Sequence, residues 1–123
     1  MASLFEVTAG AAIGYVSGNG GAVTQATSKS TGVTLNKPCG AITTTNSALA
    51  ADAEVTFTVT NSEVAATDVV VACIKSGGTS GAYVLGVTAM AAGSFDLTLG
   101  NVSGGSLSQS VVINFLVLKA AAA

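Results

Sequence analysis

The 123-residue sequence predicts an all-β protein: a single β-sandwich of about eight short antiparallel strands, of jelly-roll or Greek-key type. Three observations predict it. Half of the chain is apolar and only 8% is charged, and the remainder is dominated by Thr, Ser and Gly, the residues of strands and turns. Several segments alternate apolar and polar residues with period two. Gly/Ser/Asn clusters interrupt the chain at a spacing of roughly 8–12 residues, the rhythm of a small sandwich. An up-and-down barrel is the competing architecture.

Residues 1–21 read as an N-terminal arm and Gly-rich linker, and residues 22–123 as the β-sandwich domain. Leu4-Phe-Glu-Val-Thr8 is a short extended arm, followed by Gly10, Gly14 and Gly18-Asn-Gly-Gly21. Ala22 to Thr27 alternates weakly. Gly32 to Leu35 is a second strand, ended by Asn36-Lys-Pro38, and Gly40 to Thr44 a third. Asn46 to Asp52 is the one place where a helical turn is expected. In Ala53 to Thr60, Val55, Phe57 and Val59 share one face and Thr56, Thr58 and Thr60 the other, the pattern of a half-buried strand. Asp68 to Ile74 is apolar on both faces, and Ser76-Gly-Gly-Thr-Ser-Gly81 is a loop. Ala82 to Met90 places Tyr83, Leu85 and Val87 together. Ser94 to Leu99 turns Phe95, Leu97 and Leu99 inward. Val111 to Leu118 sets Val111, Ile113, Phe115 and Val117 on one face. Val112, Asn114, Leu116 and Leu118 line the other, which is also mostly apolar. A strand greasy on both sides lies between two layers or at a subunit contact.

The composition excludes several kinds of chemistry. The chain has no His and no Trp and no Arg, so neither a Ser/His/Asp triad nor a His-based metal shell can form within it. A net charge of -2 and a pI near 4.6 argue against nucleic acid, which demands a dense positive face. Lys29, Lys37, Lys75 and Lys119 are scattered in sequence. No catalytic, cofactor-binding or metal residues are expected, and no cofactor. Ser28-Lys29-Ser30 and Lys75-Ser76 would allow a Ser–Lys dyad on paper, but such dipeptides are ordinary in turns. Asp52 and Glu54 would need more oxygen ligands to hold calcium. Gly18-Asn-Gly-Gly21 has Val23 where a dinucleotide fingerprint needs glycine.

Mean hydropathy is high, +0.68, while no run reaches the roughly 20 apolar residues of a spanning helix. Met1-Ala-Ser-Leu-Phe-Glu6 lacks a basic segment and a long apolar one, so a start in the cytoplasm, without a signal peptide, is expected. Asn101-Val-Ser103 matches a glycosylation sequon, without meaning unless the chain is secreted. So much apolar residue with so little charge calls for oligomerisation or docking on a larger assembly. Candidate partner-binding residues are Phe5 and Tyr15, aromatics outside the strand pattern, and Val112, Leu116 and Leu118 on the second face of the last strand. Cys39 and Cys73 are either free thiols or a disulfide, within or between subunits; spacing does not decide which.

From Gly20 to Lys37, and on through Gly40-Ala-Ile-Thr43, Phe57-Thr-Val-Thr-Asn-Ser62, Ala66-Thr-Asp-Val-Val70, Ala92-Gly-Ser94, Gly104-Gly-Ser-Leu-Ser108 and Val112-Ile-Asn-Phe115, the chain resembles a small β module of tailed-bacteriophage virion proteins. The resemblance covers about residues 18 to 119. It implies a virion protein without catalytic residues, either free-standing or at the distal end of a tail fibre. Only about twenty residues precede the module, which favours a capsid decoration (cement) protein on the outer shell. The partner implied is the major capsid protein, met by a homo-oligomer in which a trimer is favoured, with no nucleic acid and no membrane involved. The alternative is a receptor-binding or tail-fibre tip module, whose turns near Gly77 to Gly81 and Gly100 to Gly105 would meet a glycan or host protein.

Overall fold

The computed structural model describes residue 10 and residues 12–121. Its elements, in chain order, are β1 (Gly20–Thr24), β2 (Val33–Thr34), β3 (Cys39–Thr43), β4 (Glu54–Thr60), β5 (Val69–Gly77), β6 (Tyr83–Ala91), β7 (Ser94–Asn101) and β8 (Val111–Leu118). They form two four-stranded sheets: sheet A, ordered β1-β3-β8-β5, and sheet B, ordered β2-β4-β7-β6. No described residue is helical.

The expectation of a purely antiparallel protein is corrected. β1 runs parallel to β3, and β2 parallel to β4, while the other neighbours are antiparallel. The reason lies in the connections. The chain changes sheet at every step except the β6–β7 hairpin. A strand that visits the opposite sheet can return to its own in the same direction, as parallel pairing requires, whereas a tight hairpin reverses it. β1 starts at Gly20, so Gly20 and Gly21 pair with Cys39 and Gly40.

The helical turn expected over Asn46 to Asp52 is absent. Leu49 instead forms an isolated bridge with Leu107, exchanging N–H···O bonds of 2.9 and 3.0 Å. Leu49 belongs to the buried core, and its peptide groups are satisfied across the molecule rather than along a helix. The chain then turns through Asp52, which sits at φ 58, into β4.

One buried cluster joins the two sheets. Phe57 and Val59 of β4 and Phe95, Leu97 and Leu99 of β7 face Ile42 of β3 and Val111, Ile113, Phe115 and Val117 of β8. The rings of Phe95 and Phe115 meet across the sheets at 5.4 Å, tilted by 57°, a geometry that sets ring edge toward ring face. Each such side chain contributes about 1.5–3 kcal/mol by leaving water. The inward period-two positions of β4, β7 and β8 are therefore the core, as their sequence predicts. At the β1–β3 edge the layers close over a glycine pair. A Cβ on Gly40 would lie 2.6 Å from the Gly21 carbonyl oxygen and 2.8 Å from Leu35. Only glycine lets Leu35 seat there.

A single ion pair fastens the end of β8 among the described residues. Lys119 Nζ donates to Asp68 Oδ2 at 2.6 Å and to the Glu63 carbonyl, while the Ala65 N–H donates to the same carboxylate at 2.8 Å. The Lys119 hydrogen bond, and then the Ala65 N–H, hold the Asp68 carboxyl below its ordinary value of 3.8. A depressed carboxylate stabilises the fold fully above the unfolded pKa, and that contribution disappears as pH falls through the folded value. Asp68→Asn is thus expected to melt below the wild type at neutral pH. Thermal melts should show the gap narrowing once pH drops under 3.8.

Candidate functional site

The outward faces of the two sheets differ in chemistry. On sheet B, Thr56, Thr58 and Thr60 of β4 are exposed beside Asp96 and Thr98 of β7. Thr98 Oγ1 lies 2.8 Å from Thr56 Oγ1 and 2.9 Å from Thr88 Oγ1. Thr58 Oγ1 donates to Asp96 Oδ1 at 2.7 Å. This β4–β7 part of the face is suited to water, while β6 adds the exposed Val84 and Ala89 beside it.

Sheet A presents the opposite. In register, Gly20 pairs with Cys39, Cys39 with Leu116 and Leu116 with Val71. The next outward row is Ala22, Ala41, Asn114 and Cys73, with Thr24, Thr43 and Val112 beyond it. Val69 and Leu118 end the face on the other side. Val69 is 50% and Val71 48% exposed. None of these outward positions is charged. Leu116, Val71, Cys39, Cys73 and Tyr15 line a shallow open trough of about 510 Å³ across it.

The structure brings together most of the residues singled out from the sequence. Val112, Leu116 and Leu118 lie on this face through β8, and Cys39 and Cys73 join them from the flanking strands. Tyr15 reaches the same face, its hydroxyl donating to the Val117 carbonyl oxygen. Phe5 lies outside the described residues. β8 separates Cys39 from Cys73, so two strand spacings of about 4.8 Å each stand between them. That exceeds the roughly 7 Å reach of a disulfide between α-carbons. Both thiols are free, and in this fold an intrachain bond is excluded.

The remaining candidates resolve into structural roles. Lys29 is buried and its ammonium donates to the carbonyls of Thr45, Ser47 at 2.8 Å and Gln109 at 2.7 Å. It is committed to these carbonyls rather than to the hydroxyls of Ser28 or Ser30. Burial pulls its pKa below the ordinary lysine value. Asn101 is 1% exposed and its amide donates to Leu49 O at 2.9 Å and Gly105 O at 2.8 Å, so the sequon nitrogen is withdrawn from any glycan. In the Ser76–Gly81 loop, Gln109 Oε1 accepts from the Thr79 N–H at 3.0 Å and from the Tyr83 hydroxyl at 3.1 Å, and burial pushes the Tyr83 phenol up. Sequence reasoning missed Lys29 and Gln109 as ties between loops, because their partners lie far along the chain.

Among the described residues no His/Cys/Asp/Glu group is arranged to hold a metal ion. No helix there is long and apolar enough to cross a membrane. Comparison of the chain with protein-family models, with curated proteins and with solved structures finds no match.

Proposed function

We propose that this chain is a structural protein of a tailed-bacteriophage virion, a decoration protein that docks on the outside of the assembled capsid through the outward face of sheet A. The observation that carries this reading is the contrast between the two sheets. The paired outward rows of sheet A are mostly Gly, Ala, Cys, Val and Leu, with Thr24, Thr43 and Asn114 among them and no charged side chain, whereas the β4–β7 part of the sheet B face is a hydrogen-bonded set of hydroxyls and the Asp96 carboxylate. Exposed contiguous apolar surface marks contact sites, and a protein so divided has one side to bind and one to meet water. The sequence resemblance to virion β modules supports the same reading. The finer architecture inferred with it is a β-sandwich of jelly-roll or Greek-key type, supported by connections that switch sheets at every step but one.

The mechanism is mass action: a ligand that binds only the assembled shell stabilises that shell. The paired rows of sheet A span about 19 by 17 Å at ordinary strand and residue spacings, a footprint of about 320 Å². The face is small and flat, and a trimer engaging three neighbouring sites at once would add avidity to the contact each copy makes. The test is to mix the purified protein with undecorated capsids and sediment them. Saturable uptake is expected, with antibody labelling over the head. Absence of uptake would refute the reading, and labelling confined to the tail would favour the fibre-tip alternative.

A further inference from the structure

The pairing of β3 with β8 lacks one donor. Pro38 stands opposite Val117, one step beyond the Cys39–Leu116 pair that opens β3, and the Val117 N–H donates to the Pro38 carbonyl at 2.8 Å. In a hydrogen-bonded antiparallel pair the two residues exchange both bonds, but proline has no N–H to return. The Val117 carbonyl oxygen is thus left without its ladder partner. Val117 is 0% exposed, and a buried main-chain acceptor without a donor is costly.

We propose that Tyr15 stands in for the N–H that Pro38 lacks, and so latches the segment ahead of β1 onto sheet A. Its hydroxyl donates to that same oxygen from 102 residues away in the chain. Its ring lines the trough with Cys39 and Leu116, the pair next to Pro38 and Val117. The opposite end of the ladder is closed in the same way. There the Thr44 N–H donates to the Val111 carbonyl at 2.9 Å, and the returning bond runs from the Val111 N–H to the Thr44 hydroxyl at 2.9 Å. A side chain completes the β3–β8 pairing at each end.

The latch decides where the segment lies. Among the described residues, the other hydrogen bonds of residues 12–19 are local, from the Asn19 N–H and side-chain amide to the Val16 carbonyl. Ile13 is 67% and Val16 76% exposed, so burial of these side chains does little to hold the segment in place. Its position against the sheet therefore rests on Tyr15. This inference goes beyond the docking role of sheet A and does not depend on it.

A double-mutant cycle tests it. Tyr15→Phe keeps the ring and removes the donor, and Pro38→Ala restores a main-chain N–H opposite Val117. Urea unfolding of the wild type, both single variants and the double variant yields the four folding equilibrium constants. Tyr15→Phe alone is expected to lower the constant at least about fivefold. In the Pro38→Ala background the same change should lower it less than about twofold, because the ladder N–H then serves the oxygen. An equal loss in both backgrounds, or no loss in the wild-type background, would overturn the proposal. The carbonyl carbon resonance of Val117 gives a second reading, since it follows hydrogen bonding at the oxygen. It should move upfield in Tyr15→Phe and return in the double variant. A resonance unmoved by Tyr15→Phe would also overturn the proposal, and that comparison holds even if Pro38→Ala fails to fold.

Discussion

Replacing Lys29 with methionine is expected to be among the most damaging single changes in the molecule. The ammonium fills a cradle of three main-chain carbonyls, those of Thr45, Ser47 and Gln109, and its amide N–H reaches the Ser47 hydroxyl at 3.2 Å. Methionine preserves the apolar stem and the main-chain N–H but removes the ammonium that serves all three carbonyls. A buried acceptor left without a partner costs about 1–3 kcal/mol. Three together, partly rehydrated, give an expected loss of about 3–5 kcal/mol. For a domain of this size that lowers the melting temperature by about 10 °C or more. Urea unfolding with an unchanged m-value is the check. A loss under about 1 kcal/mol would mean that the three segments hold their places without the amine.

Asn101 does a related task at the other end of the same irregular layer. Its amide nitrogen serves the carbonyls of Leu49 and Gly105, and its oxygen accepts from the Ser103 N–H at 2.9 Å and the Ser103 hydroxyl at 2.7 Å. The Leu49–Leu107 bridge lies between the two anchors. Asn101→Ala is expected to cost about 2–4 kcal/mol. Asn101→Asp is nearly the same shape, yet at neutral pH it sets a carboxylate oxygen against two carbonyl oxygens and should be at least as destabilising. Chemical denaturation of both variants separates the shape of the side chain from its donors. An Asp variant as stable as wild type would show that the two carbonyls do not need the amide.

The sequence carries the core plainly and the ties poorly, for a physical reason. In β4 and β7, Thr or Asp alternates with Phe, Val and Leu, so one strand by itself reveals which face is buried. In β8 both faces are apolar, and the sequence still announces that the second face is unusual. Lys29, by contrast, stands in Ser28-Lys29-Ser30, which reads as a solvated turn. Its burial is decided by carbonyls 16 to 80 residues away. The same holds for the parallel pairs. Whether β1 meets β3 along or against the chain depends on a path through the other sheet, to which local periodicity is blind. Cys39 and Cys73 are likewise not close in sequence, and only the register through Leu116 and Asn114 places them on one face while keeping them too far apart to bond. Tyr15 stood out as an aromatic outside the pattern, but the surface it contacts became visible only with the fold.

That sheet A binds and sheet B faces water is tested most directly by placing the same charge on each. Val71→Lys puts an ammonium on the β5 side of the apolar face, beside Leu116, and Thr56→Lys puts one among the hydroxyls. Both positions are exposed, so both variants should fold. In co-sedimentation with undecorated capsids, Val71→Lys is expected to lose saturable uptake, at least about a hundredfold in apparent affinity for a charge desolvated without a partner, while Thr56→Lys binds as the wild type does. Uptake untouched by Val71→Lys, or abolished only by Thr56→Lys, would contradict the assignment of the docking face.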